Sequence, residues 1–158
     1  MNRFSMRSAL LEFPSLSAFV TAESFAQWSD DPAVNNPICT ASGDQTSPKV
    51  GSVGAEGAIL AWWDGRSATG SFDLFAQRID SSGKVKWMTN GSQVCSVEAQ
   101  KHNPTITGDG AGGAIIAWDD EGRGYSDIYA QRINGAGVIQ WPASGVPVCT
   151  SGQVREPV

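Results

Sequence analysis

Histidine is almost missing from this chain, with one residue, His102, in 158. Cysteine is also sparse, at three residues, and no two of them stand in a Cys-x-x-Cys pair. A zinc centre of the usual Cys/His type therefore lacks donors. The sequence also lacks a Gly-x-Ser-x-Gly elbow, a phosphate-binding Gly-rich loop and a His-Glu-x-x-His helix, which removes three familiar catalytic frameworks. Positive charge is in short supply, with 11 Lys and Arg against 16 Asp and Glu, a net charge of −5 and a pI of 4.7. Nucleic-acid binding needs a cationic face to displace counterions, so no nucleic-acid partner is expected. No run approaches the ~20 apolar residues of a membrane-spanning helix, so no membrane span is expected either.

Glycine and apolar residues are plentiful. The chain has 18 glycines and 8 prolines without collagen's strict period, and 41% of its residues are hydrophobic. Such apolar content excludes a highly charged disordered tail and is enough for a packed domain rich in turns.

Residues 1–26 form a segment of their own. Arg3 and Arg7 precede an apolar run from Ser8 to Val20, and Ser24-Phe25-Ala26 fits the small-x-small pattern of a signal peptidase site. Glu12 and Pro14 interrupt the run. The segment reads as a cleaved secretory signal or a disordered leader, and the first alternative places the protein outside the cell or at its surface.

From residue 27 onward the chain repeats itself, which is the feature to settle first. Gly57-Ala-Ile-Leu-Ala-Trp62 returns as Gly113-Ala-Ile-Ile-Ala-Trp118, an offset of 56 residues. Asp73-Leu-Phe-Ala-Gln-Arg-Ile79 returns as Asp127-Ile-Tyr-Ala-Gln-Arg-Ile133 at an offset of 54, as do Trp87 with Trp141 and Cys95 with Cys149. Trp28 and Pro37-Ile-Cys39 match the later part of a unit. Gln45 and Pro48-Lys-Val50 correspond to Gln100 and Pro104-Thr-Ile106, and then to Gln153 and Pro157-Val158. The expected division is a tail at 27–47, full units at 48–103 and 104–152, and the start of another at 153–158. A chain laid out in this way is expected to be a fragment of a longer array.

Each unit holds four short apolar runs: in the second they are Pro104–Thr107, Ala114–Trp118, Asp127–Ile133 and Val138–Trp141, the last continuing loosely to Val146–Cys149. Gly and Asn separate them, and their tolerance of positive φ suits tight hairpins. The runs are rich in Ile, Val and aromatics and too often broken by glycine to be helices. Ala58–Trp63 and Ala114–Trp118 are apolar at successive positions, which predicts strands covered on both faces. Four antiparallel strands per unit, stacked on neighbouring units, describe an all-β chain of β-propeller blades, with a ring that two full blades do not close. The partners expected are further blades of the same protein or a homo-oligomer, for example three two-blade chains.

The pattern GGAIIAW-x-D-x-R…DIYAQRI…G-x-x-x-W…G-x-x-V-C resembles that of secreted bacterial repeat proteins of the Bacteroidetes type, over Gln27 to Val158. That resemblance implies a propeller in an extracellular or cell-surface protein, mostly without an assigned activity. The turn–Gly–x–x–x–Trp plan ending in Trp87 and Trp141 is also similar to the blade-linking motif of quinoprotein propellers. It is more loosely similar to the aspartate box of sialidases. In both families the motif is structural.

The candidate site residues are the repeated carboxylates. Asp64 and Asp120 follow the central tryptophans Trp62 and Trp118, with Arg66 and Arg123 nearby, while Asp73 and Asp127 open the next run. One reading is a blade-top cluster that binds Ca²⁺ or sugar hydroxyls, with Trp63 or Tyr125 stacking on a sugar face. The other is a repeated Asp–Arg pair or Asx turn that shapes the hairpin, which recurrence at one blade position favours. Cys39, Cys95 and Cys149 share one unit position and read as small buried residues, too far apart in neighbouring blades for a disulfide. No catalytic residue, cofactor-binding residue or metal ligand set is assigned beyond the Ca²⁺ candidates. The expected function is a non-enzymatic scaffold or binding module for a glycan or protein ligand. A lectin-like ring and a propeller enzyme of the glycosidase or quinoprotein kind are the alternatives.

Overall fold

The computed structural model describes residues 31, 33–67, 70–96, 101–121 and 126–150, with the side chains of Lys101 and His102 left aside. The leader, Trp28, Gln100, Arg123, Tyr125, Gln153, Pro157 and Val158 lie outside the described residues. What is described is all β, apart from a 3-10 turn at Gly54–Glu56. The strands are β1 (Gln45–Ser52), β2 (Ala58–Asp64), β3 (Asp73–Ile79), β4 (Ser92–Cys95), β5 (Lys101–Gly108), β6 (Ala114–Asp120), β7 (Asp127–Ile133) and β8 (Val146–Cys149). They form two antiparallel sheets of four strands in the orders β1-β2-β3-β4 and β5-β6-β7-β8. Among the described residues no helix is long and apolar enough to cross a membrane.

The duplicated sequence produces a duplicated register. Trp62 lies opposite Phe75 and Asp64 opposite Asp73, just as Trp118 lies opposite Tyr129 and Asp120 opposite Asp127. Both first strands bulge at the same place, between Thr46 and Lys49 and between His102 and Thr105. Ser47 and Asn103 sit there with φ of 52° and 49°. The glycine that opens the shared Gly-Ala-Ile motif is required by close approach. A Cβ on Gly57 would lie 2.1 Å from the Ile79 carbonyl oxygen, and one on Gly113 would lie 2.2 Å from that of Ile133. Those contacts are far inside van der Waals range, so any side chain there would force the hairpin apart.

The fourth strand is not where the apolar run Val138–Trp141 placed it. That run makes one isolated bridge, Ile133 to Ile139, and Gln140 N donates to Arg132 O. The ladder then stops because the Gln131 side chain takes over the pairing. Its Oε1 accepts from Trp141 N at 3.0 Å and its Nε2 donates to the Pro142 carbonyl at 2.8 Å. The chain turns at Pro142–Gly145 and comes back as β8, the Val146–Cys149 stretch. The first sheet repeats this, with Gln77 binding Trp87 N and Met88 O before β4. The first strand of each unit also begins earlier than its apolar run, at Gln45 and Lys101.

The sheets stack face to face. Antiparallel pairing places directly opposed residues on one side, so Ile59, Ala61, Trp63, Leu74 and Ala76 share the back of the first sheet. They join Val94 in a core with Ala114, Ile116 and Trp118 from the front of the second sheet, with Ile106 and Tyr129 packed against it. Gly51 lets β1 approach β5, since a Cβ there would lie 3.1 Å from Ile106 Cγ1.

This one-sided contact changes two expectations. β2 is well covered on both faces, but β6 alternates between buried front and half-buried back positions from Ala114 to Asp119, because among the described residues no strand packs behind the second sheet. The three cysteines likewise differ: Cys95 is buried, Cys39 half-buried and Cys149 exposed, and none forms a disulfide. Cys95 and Cys149 hold the same register, opposite Leu74 and Ile128. Only the first has a sheet over it.

Candidate functional site

The repeated carboxylates gather at the end of each sheet where β2 leaves for β3 and β6 for β7. Asp64 is fully buried, and its oxygens are surrounded by donors from its own hairpin. Oδ1 accepts from Arg66 N at 3.0 Å and Arg66 Nε at 2.7 Å, while Oδ2 accepts from Trp62 Nε1 at 2.8 Å and pairs with Arg66 Nη2 at 2.5 Å. Burial alone would raise this carboxyl's pKa. The hydrogen bonds from Arg66 and Trp62, with the Arg66 charge, outweigh it and hold Asp64 below the usual carboxylate range. Asp64 in turn raises the pKa of Arg66, with Asp73 adding to the field from the facing strand.

The guanidinium is the centre of the arrangement. It lies 3.8 Å from the centroid of Phe75, donates to the Asn90 carbonyl at 2.8 Å, and lies 3.5 Å from Cys39 Sγ. Trp62 stacks on Phe75 with centroids 6.5 Å apart. Arg66 thus ties the β2–β3 connection, the loop before β4 and the segment around Cys39 to one carboxylate. A carboxylate with this many protein donors has little capacity left for a cation or a sugar hydroxyl.

A scan of protein-family models, a search of curated proteins and a search of solved structures each returned no match. The site must be read from its own geometry.

In the second sheet Trp118 stacks on Tyr129 as Trp62 does on Phe75. Asp127 is buried and Asp120 half-buried, and each makes interactions of its own. The indole N–H of Trp118 is buried without a hydrogen-bond partner among the described residues, whereas that of Trp62 binds Asp64. The first and second units therefore share register but not this bond. Trp63 is buried in the intersheet core, on the opposite side of β2 from Trp62, and is not available to stack on a sugar face. Among the described residues no group of three His, Cys, Asp or Glu side chains is placed to hold a metal ion.

The other end of the sheets holds an open cleft. Arg78 and Arg132 reach back to the preceding hairpins: Arg78 Nη2 pairs with Glu56 Oε2 at 2.5 Å, and Arg132 Nε binds Asp109 Oδ2 at 2.9 Å. Backbone donation from Ala111 leads the lowering of Asp109's pKa, partly opposed by burial and reinforced by Arg132. Arg78 Nη1 and Trp87 Nε1 both donate to the Gly135 carbonyl of the second unit, at 3.2 and 3.0 Å. A Cβ on Gly137 would strike the Trp87 ring at 2.7 Å. Trp87 therefore packs across the sheet boundary; it and Trp141, in the same register, are both half-buried.

Between the β1–β2 and β5–β6 connections lies an open cleft of about 570 Å³, lined by Ser52, Glu56, Thr107 and loop backbone at Gly54, Gly110 and Gly112. Hydroxyls, amides and one carboxylate can hydrogen-bond a polar ligand. None of the residues lining it is a histidine or cysteine. Sequence reasoning placed the candidate site at the aspartate end and did not find this cleft. The signal was the glycine cluster at 108–113, which marks a loop but not its neighbour in space. It also missed the buried glutamines Gln77 and Gln131, although Ala-Gln-Arg-Ile is identical in both units.

Proposed function

We propose that this chain is a non-enzymatic β-propeller scaffold and binding module of the secreted or cell-surface kind, each four-stranded sheet being one blade. The observation that carries the reading is the saturation of Asp64, the carboxylate best placed for chemistry, by Trp62 and Arg66. A general acid or a nucleophile needs a free oxygen facing substrate, and this one faces its own hairpin. The stacking of two sheets of equal register supports a blade array, since the apolar back of the first is buried against the apolar front of the second.

In this reading the ligand contact lies in the cleft between the two hairpin loops, which Ser52, Thr107 and Glu56 line. These groups favour a lectin-like variant of the same reading, with a polar sugar as ligand. Binding to a glycan array that is lost in Glu56→Gln would support the sugar ligand, and a blank array would remove it. The scaffold reading itself is tested by turnover on glycoside and quinone-dependent substrates. No turnover is expected; an activity lost in Asp64→Asn with the fold retained would overturn the reading.

A further inference from the structure

The hairpin turns after β3 and β7 are held by the same hydrogen bonds, but only the second carries an asparagine followed by glycine. It reads Asn134-Gly135-Ala136-Gly137, where the first reads Asp80-Ser81-Ser82-Gly83. The nitrogen of Gly135 is separated from Asn134 Cγ by atoms of residue 134 alone, so its attack there closes a five-membered ring. Glycine has no Cβ to crowd that approach.

The geometry at Asn134 supplies what such a reaction needs. Its Oδ1 accepts from Ala136 N at 3.0 Å and from Val138 N at 3.1 Å. Two fixed N–H donors on a carbonyl oxygen stabilise the negative charge that develops there as a nucleophile adds. The nucleophile itself is free, since Gly135 N makes no hydrogen bond among the described residues. Asn134 and Gly135 are half-buried, so water reaches them to take up the proton. The sequence holds one other Asn-Gly pair, Asn90-Gly91, in the loop before β4. There the nucleophile is engaged, because Gly91 N donates to Met88 O at 2.9 Å. Asn90 Oδ1 is held by Thr40 N and Thr40 Oγ1 at 2.8 and 3.2 Å, and the Asn90 carbonyl accepts from Arg66 Nη2 at 2.8 Å.

We propose that Asn134 is a site of covalent self-modification, at which the folded chain deamidates. Gly135 N loses its proton and bonds to Asn134 Cγ. The Cγ–Nδ2 bond breaks, and the amide nitrogen leaves with that proton as ammonia. The cyclic imide then takes up one water. Opening at Cγ gives aspartate at position 134, and opening at the main-chain carbonyl gives iso-aspartate. The sum is one water consumed and one ammonia released, with no change of oxidation state. The two products differ in effect. Aspartate reproduces the first hairpin, where Asp80 Oδ1 accepts from Ser82 N and Lys84 N. Iso-aspartate lengthens the main chain by one methylene immediately before Gly135. The Gly135 carbonyl takes Arg78 Nη1 and Trp87 Nε1 from the first unit, at 3.2 and 3.0 Å. Iso-aspartate therefore loosens the contact between the sheets, and aspartate does not.

Incubation of the full chain at mildly alkaline pH, followed by peptide mapping in a mass spectrometer, tests this. In urea the two Asn-Gly pairs should convert at similar rates. In the folded chain Asn134 should convert about tenfold faster than Asn90, the rate equivalent of the hydrogen bond that must break at Gly91. Gly135→Ser, which installs the residue of the first hairpin at that place, should suppress conversion at 134. It should leave the rate at 90 unchanged, which also shows that the fold is kept. A folded chain in which Asn90 converts as fast as Asn134 overturns the proposal, as does one in which neither converts while both do in urea. The iso-aspartyl and aspartyl forms, separated after incubation, give a second arm. The first should have the lower denaturant midpoint, and equal midpoints would overturn the link to the intersheet contact.

Discussion

Asp80 and Asn134 occupy the same place in two hairpins and do the same work with different charge. Asp80 Oδ1 accepts from Ser82 N and Lys84 N, and Asn134 Oδ1 accepts from Ala136 N and Val138 N. The aspartate gains more: the Ser82 hydroxyl and the Lys84 amide lead in lowering its pKa to about 2. The folded pKa is below the unfolded value of ~3.9, so the stabilisation is complete above that value and is lost as pH falls toward 2. Asp80→Asn should keep the turn, as position 134 already demonstrates, and remove this part of the acid sensitivity. Urea melts of both proteins from pH 5 to pH 2 check it: their midpoints should converge as the pH drops. Gln131 makes a second residue-scale case. Gln131→Leu would leave the Trp141 amide and the Pro142 carbonyl without their partner, which should cost about 1–3 kcal/mol in denaturant melts. These two side chains show what was legible. The Asx-type turn at Asp80 follows from residue type and spacing, whereas a buried glutamine that ends a ladder has no composition signal beyond its recurrence.

At the scale of the strand, the hairpin β2–β3 is held by the Asp64–Arg66 pair and the aromatic stack beneath it. Asp64→Ala would leave the Arg66 guanidinium part-buried without its carboxylate and should destabilise by ~3 kcal/mol, near the value for breaking a buried pair. Mutation of Asp73, on the facing strand, should cost less, since the Asp64 carboxylate still holds Arg66 by two contacts. Thermal melts of the two variants give the comparison, and equal losses would contradict the assignment. Apolar content and recurrence made β2, β3, β6 and β7 readable, because each of their runs rich in Ile, Leu and aromatics returns in both units. It failed at β4 and β8. Ser92–Cys95 and Val146–Cys149 are four residues each, and the more apolar Val138–Trp141 competed for the assignment. What decided between them was the hydrogen bonding of Gln131 from another strand, which a local pattern does not contain.

At the scale of the whole molecule, neither sheet has a core of its own. Ile59, Ala61, Trp63, Leu74 and Val94 are buried only because Ala114, Ile116 and Trp118 lie against them. An isolated antiparallel sheet of this size would expose one of these faces to water and be marginal. The consequence is cooperativity: the two sheets should unfold in one transition, with tryptophan fluorescence and far-ultraviolet circular dichroism giving coincident denaturant curves. Trp63 and Trp118 come from different sheets and point into the same core. Trp63→Ala and Trp118→Ala should therefore each lower the single midpoint by the equivalent of ~3–5 kcal/mol, without splitting the curve. Had each sheet been stable alone, Trp63→Ala would separate an early transition of the first sheet from a later one of the second. A split of that kind would show that the shared core does not couple them.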